Sequence, residues 1–185
     1  MNDYRVNLNY AKALFMLAQD LGQTEVVLAD IRLVHQVCSE NHLLNKVLDN
    51  PVIPESKKHA IVNDLFNGKI SATTLAFLLF VVHKKRAVSL KGISESFMDL
   101  YRDANNIVLV RVKTATEVNK ELLQKMANEV EAFTNKKIEL ESVVSDKMLG
   151  GFQLTFDTYL YDARIRTRVD RMRREFAKNV YESKL

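Results

Sequence analysis

The chain is short of almost everything that marks an active site or a membrane span. It has one cysteine, Cys38, so no internal disulfide can form, which fits a reducing compartment. Tryptophan is absent, and five glycines and two prolines leave few turns and therefore long elements. The longest uninterrupted apolar run, Leu75 to Val82, spans eight residues, against the roughly 18 needed to cross a bilayer. The opening MNDYRVNLNY lacks an apolar stretch behind a basic start and is not rich in Arg and Ser, so neither a secretory nor a transit leader is expected. The four histidines, His35, His42, His59 and His83, do not pair with one another at helical spacing, so no metal site is expected.

What remains is an ordinary globular composition in 185 residues, 47% hydrophobic and 27% charged, enough for one domain or two small ones. The net charge of +4 is uneven. Residues 163–185 hold eight Lys and Arg against three acids, which leaves the rest of the chain slightly acidic.

Periodicity predicts helices over 3–21, 25–38 and 42–48, with Thr24 capping the second and Asn50-Pro51 ending the third. A fourth runs from Pro54 in its first turn to Asn67-Gly68. Ser71 caps a fifth containing LAFLLFVV, apolar around its whole circumference and so expected to be surrounded, and ending in His83-Lys84-Lys85-Arg86. A sixth covers about 89–104. Short connections make these a six-helix bundle.

After Asn105-Asn106 the pattern changes. Strands are expected at Ile107–Lys113, Ile138–Val143, Gly151–Phe156 and Tyr159–Tyr161, with an amphipathic helix over Thr116–Phe133. A last helix, 163–182, carries Ile165, Val169, Met172, Phe176 and Val180 in a narrow stripe. The fold class is therefore mainly α: a helical bundle over 1–105, then a small α+β unit over 106–185.

Chemistry is hard to find. Gly150-Gly151 fits neither a dinucleotide loop nor a P-loop, and a strand follows the pair, so it reads as a structural turn or bulge. Asp146, Asp157 and Asp162 read as turn residues. No nucleophile elbow is present, and the chain is expected not to be an enzyme. The arginines of the last helix offer two readings of equal weight, a solvated face or a surface for an acidic partner. An RNA-binding or regulatory adaptor is the alternative function they suggest.

Two helices carry more apolar surface than one layer requires. On the first, Val6, Tyr10, Ala13, Leu14, Leu17 and Leu21 share a face that Ala11, Phe15 and Ala18 widen. The fifth is apolar all round. Either the bundle core absorbs this surface, or a groove between the two helices receives a partner's amphipathic helix.

These pieces together resemble the delta subunit family of F-type ATP synthases, whose mitochondrial counterpart is the oligomycin-sensitivity-conferring protein. The resemblance rests on YAKALFMLA (Tyr10 to Ala18), on Leu48, Pro51, Ile53 and Lys57, on LAFLLFVVHKKR ending at Arg86, and on SDKMLGGFQLTFDTYLYDARIRTRVDRMRREF from Ser145 to Phe176. The chain departs from the family where Lys85 stands in place of a frequent Gly, where Lys147 follows Asp146 in place of Pro, and at Ala163-Arg164. The resemblance implies a non-catalytic stator subunit without cofactor or metal. It implies a peripheral location at the cytoplasmic face of a bacterial inner membrane, held there by the complex. Implied partners are the N-terminal helix of an alpha subunit, bound between the first and fifth helices, and the membrane-anchored b subunits, met by the C-terminal domain; no nucleic acid is expected. Carried onto this chain, the alpha-facing residues are Tyr10, Ala13, Leu14 and Leu17 with some of Ala76, Phe77, Leu79, Phe80 and His83. A charge at Leu14 is then expected to abolish docking and leave the bundle folded.

Overall fold

A computed structural model describes residues 2–134 and 136–178. The chain divides into two compact units after Ala104.

The first unit holds α1 (Asn2–Asp20), α2 (Thr24–Glu40), α3 (His42–Asp49), α4 (Glu55–Phe66), α5 (Ala72–His83) and α6 (Leu90–Ala104), with a short 3₁₀ turn at Ala87–Ser89. Its core is the shared property of stripes at helical spacing. Val27, Ile31, Val34 and Cys38 on α2 meet Leu90, Ile93 and Phe97 on α6, and Ala11, Leu14 and Ala18 on α1 join them. α6 is the central helix, packed on both α1 and α2, while α4 lies on α5. Gly92 allows α6 to approach α1 closely, because a Cβ there would run into the Asn7 side chain.

Local chemistry sets the helix ends. Ser71 Oγ accepts from Thr74 N at 3.3 Å and caps α5, and Asn41 Oδ1 accepts from Leu44 N at 3.0 Å and caps α3. Thr24 is not a cap. It is the first helical residue, behind Gln23, which makes no side-chain bond. Pro54 sits one place earlier than expected, in an extended conformation before α4. α1 ends at Gly22, whose φ of 65° is the left-handed conformation of a Schellman turn, with Gly22 N donating to Gln19 O and Gln23 N to Ala18 O.

The second unit is a four-stranded sheet, β1 (Ile107–Thr114), β2 (Lys137–Val144), β3 (Phe152–Phe156) and β4 (Tyr159–Asp162), in the order β2-β1-β3-β4. β1 and β2 are parallel and joined through α7 (Lys120–Thr134); β3 and β4 are antiparallel additions on the other side of β1. Strand register places Val110, Leu140, Phe156 and Tyr159 on one face. α7 covers part of that face, and Val110, Val112, Val130 and Leu154 form the small core between. The opposite face carries Arg111, Lys113, Glu141, Gln153 and Thr155 with Leu109, Val143 and Leu160 among them, and Arg111 Nε donates to Glu141 at 2.7 Å. α7 starts later than periodicity suggests because Asn119 Oδ1 accepts from Glu121 N and begins the helix there, leaving Thr116 to Val118 in the loop. α8 follows at Ile165–Lys178; Val180, placed in its stripe from the sequence, lies outside the described residues. Among the described residues no helix is long and apolar enough to cross a membrane.

Candidate functional site

The sequence leaves open whether α1 and α5 spend all their apolar surface on the core. They do not. On α1, Ala11, Leu14 and Ala18 have no exposed surface, whereas one shoulder of the helix, Ala13 and Leu17, is open, and Tyr10 is half-buried beside it. On α5, Thr74, Leu78, Val81 and Val82 point inward. Ala76, Phe80 and His83 are exposed, and Phe77 and Leu79 lie between. The expectation that α5 is surrounded is therefore corrected. α4 and α2 cover it on two sides, and the line from Ala72 through Ala76 and Phe80 to His83 faces out.

The two open shoulders meet through one aromatic contact. The Tyr10 and Phe80 rings are 6.4 Å apart and tilted by 58°, and Lys84 Nζ stands 5.4 Å over the Phe80 ring. Leu17 is 43% exposed and Phe80 48%, so an apolar strip spans both helices at the surface. Leu21, in phase with Leu17 and 50% exposed, extends it. Lys84 edges it with positive charge, a role that no sequence pattern signals. Leu14 must be corrected. It lies in the core, not on the strip, and a charge there would be buried without a partner.

Arrangements that would suggest catalysis resolve into structure. Ser39, His35 and Glu95 lie together, but the Ser39 hydroxyl at 3.5 Å and the Glu95 carboxylate at 3.3 Å both fall on Nε2 of His35. A relay needs the carboxylate on one ring nitrogen and the nucleophile on the other. Among the described residues no three His, Cys, Asp or Glu side chains group closely enough to hold a metal ion, and this includes Asp146, Asp157 and Asp162. Burial pushes the Cys38 thiol up, away from a reactive thiolate.

Asp162 is locked instead of reactive. Arg164 donates to both its carboxylate oxygens through Nε and Nη2 and through its backbone N–H, and Thr167 Oγ1 donates at 3.0 Å. The Arg164 hydrogen bonds hold the carboxyl well below the usual range. Gly150-Gly151 seats the same junction. A Cβ on Gly151, whose φ is 83°, would collide with the Ala163 carbonyl. That space lets Ala163 N donate to Phe152 O and Ile165 N to Gly150 O. The pair holds backbone against backbone and offers no helix N-terminus to a phosphate.

The second unit has an apolar cavity of about 400 Å³ between α7 and the β3–β4 hairpin, lined by Met126, Val130, Phe133, Phe156, Tyr159 and Tyr161 among others. Glu129 is the one acid at its wall, and none of the three aspartates reaches it. Such a lining offers contact area and no acid–base pair.

Both units thus present exposed apolar side chains, among them Leu17 and Phe80 in the first and Phe133 and Tyr159 in the second. The family model described as ATP synthase delta (OSCP) subunit matches residues 6–176. A relative from Cytophaga hutchinsonii, ATP synthase subunit delta, is 32% identical across 97% of this chain and 98% of its own. Its namesake from Phocaeicola vulgatus is 30% identical across 94% and 95%. A chain in the cryo-EM structure of the Toxoplasma gondii mitochondrial ATP synthase hexamer shares the fold with a TM-score of 0.71 at 20% identity, over 94% of this chain and 98% of that one. With a family match over residues 6–176, from the second turn of α1 into α8, this chain belongs to the ATP synthase delta (OSCP) subunit family.

Proposed function

We propose that the chain is the peripheral-stalk subunit of a proton-translocating F-type ATP synthase, tying the catalytic head to membrane-anchored b subunits at the cytoplasmic face of a bacterial inner membrane. The family itself is a non-catalytic structural subunit of the ATP synthase. In this reading residues 2–104 act as a six-helix bundle on the head, and the second unit meets the b subunits. Rotation driven by proton flow puts a reaction torque on the head, so the connector must hold two partners at once.

The observation that carries the proposal is the exposed strip formed by Leu17 of α1 and Phe80 of α5, flanked by Ala13, Ala76 and His83. It suits the apolar face of one amphipathic helix, here the N-terminal helix of an alpha subunit. Burying roughly 400 Å² of apolar area at about 25 cal/mol per Å² gives about 10 kcal/mol gross. Association entropy offsets a large part and leaves micromolar to nanomolar affinity.

The test is calorimetry of the full chain with an alpha N-terminal peptide. Leu17→Asp combined with Phe80→Asp is expected to weaken binding at least about a hundredfold, because charges enter a desolvated contact, while helical circular dichroism stays unchanged. Leu14→Asp is expected to lose the circular dichroism itself. Undiminished affinity of the Leu17/Phe80 double variant rejects the strip as the docking site.

A further inference from the structure

The family match leaves the cationic helix α8 without a stated role, and its surroundings are unusual for an amphipathic helix. Ile165, Val169, Met172 and Phe176 are 50%, 39%, 54% and 72% exposed, so its apolar stripe is not buried against the sheet. From Arg171 to Ala177 every residue is exposed. The spacing of the four apolar residues is four, three, four. That is a strict d-a-d-a heptad seam, narrower than the broad apolar face that lets a helix lie in a lipid surface. The flanks follow from the same register: Arg166 and Arg173 take the e positions, Arg168 and Glu175 the g positions. Arg173 lies 3.9 Å from Asp170, a loose exposed pair. The edge of the seam is therefore cationic.

We infer that α8 is half of a coiled coil, whose other half is a helix of a different protein with an apolar seam edged by Glu or Asp. Charge selects this occupant. A second copy of the chain in parallel would set Arg168 against Arg173 across the seam, like charges at the positions that decide pairing. An acidic-edged helix turns the same positions into attractive pairs. The inference rests on the reading above, that the second unit takes a partner of its own, and it adds the chemistry of that partner and the face that meets it.

The probe is a fluorescently labelled synthetic helix with Leu and Ile at its seam and Glu at every e and g position, titrated with the full chain and followed by anisotropy. A twin peptide carries Lys in place of Glu. The acidic peptide is expected to bind at least about tenfold tighter than its twin, and less tightly as salt rises. Val169→Glu is expected to cost tenfold or more, and Arg166→Glu with Arg173→Glu to reverse the preference between the peptides. These positions are exposed, so the variants keep the fold, and the reversal is a readout that mere misfolding cannot produce. The inference is overturned by equal binding of the two peptides, or by indifference to Val169→Glu. Tighter binding to vesicles of phosphatidylglycerol or to mixed-sequence RNA than to the acidic peptide overturns it, as does self-association through α8 in sedimentation. None of these variants touches α1 or α5. A negative result here leaves the alpha-docking experiment standing, and a negative result there leaves the α8 titration interpretable.

Discussion

Lys85 shows what a single residue contributes. It closes α5 in the left-handed region at φ 60°, with its N–H donating to Val82 O and the Arg86 N–H to Val81 O, the two bonds of a Schellman turn. The Cβ of a lysine costs about 1–2 kcal/mol in that conformation, which glycine avoids. Glycine returns about 0.4–1 kcal/mol through the freer unfolded chain and forfeits the exposed pair with Glu55 at 3.2 Å, worth little. Lys85→Gly is expected to stabilise the first unit by about 0.5 kcal/mol, read as a higher urea midpoint at unchanged slope. Asp162 acts through pH. Its folded pKa is depressed, first by the Arg164 hydrogen bonds, so its contribution is complete above the ordinary carboxylate value near 4 and is lost as pH falls below it. Asp162→Asn is expected to be less stable than the parent at pH 6, with the gap narrowing under acid; a gap of constant size from pH 6 to pH 2 contradicts this role.

At the scale of elements, the useful contrast is between α1 and α5. The breadth of the apolar arc on α1 was legible in the sequence because periodicity counts faces. Which residues of that arc are outermost was not, since Leu14 and Leu17 differ by less than one turn and the position of α6 decides between them. α5 offers no such clue, being apolar on every side; only α4 and α2 lying against it leave Ala76 and Phe80 facing out. One polar contact fixes how α5 sits. Asp30 on α2, 8% exposed, accepts from the Ser71 backbone N–H at 2.9 Å and from its hydroxyl at 2.6 Å, at the first turn of α5. Asp30→Ala is expected to cost about 1–3 kcal/mol, because the Ser71 N–H at a partly buried helix end loses its acceptor, while the hydroxyl keeps Thr74 Oγ1. Hydrogen exchange localises the effect if the first-turn amides of α5 lose protection ahead of those of α6.

At the scale of the molecule, two units with separate exposed surfaces predict separable defects. In cells, Leu17→Asp with Phe80→Asp is expected to leave the chain with b subunits and without the catalytic head, and Val169→Glu with Met172→Glu to do the reverse. Co-purification reads both, and simultaneous loss of both partners from either variant contradicts independent docking. On the proposed stator role, coupling of proton flow to ATP synthesis is expected to fail in both cases, since a connector released at either end transmits no torque.

Sequence alone determined the helix and strand content, the change of texture after Asn105-Asn106, the lack of a nucleophile-elbow or phosphate-loop motif, and the breadth of the apolar arc on α1. These follow from period, composition and spacing, which are local. Only the tertiary structure decided where that surplus emerges, that Leu14 belongs to the core, that Lys85 bears left-handed strain, and that the seam of α8 faces solvent. Exposure depends on which neighbouring element occupies the space, and no stretch of chain carries that information by itself.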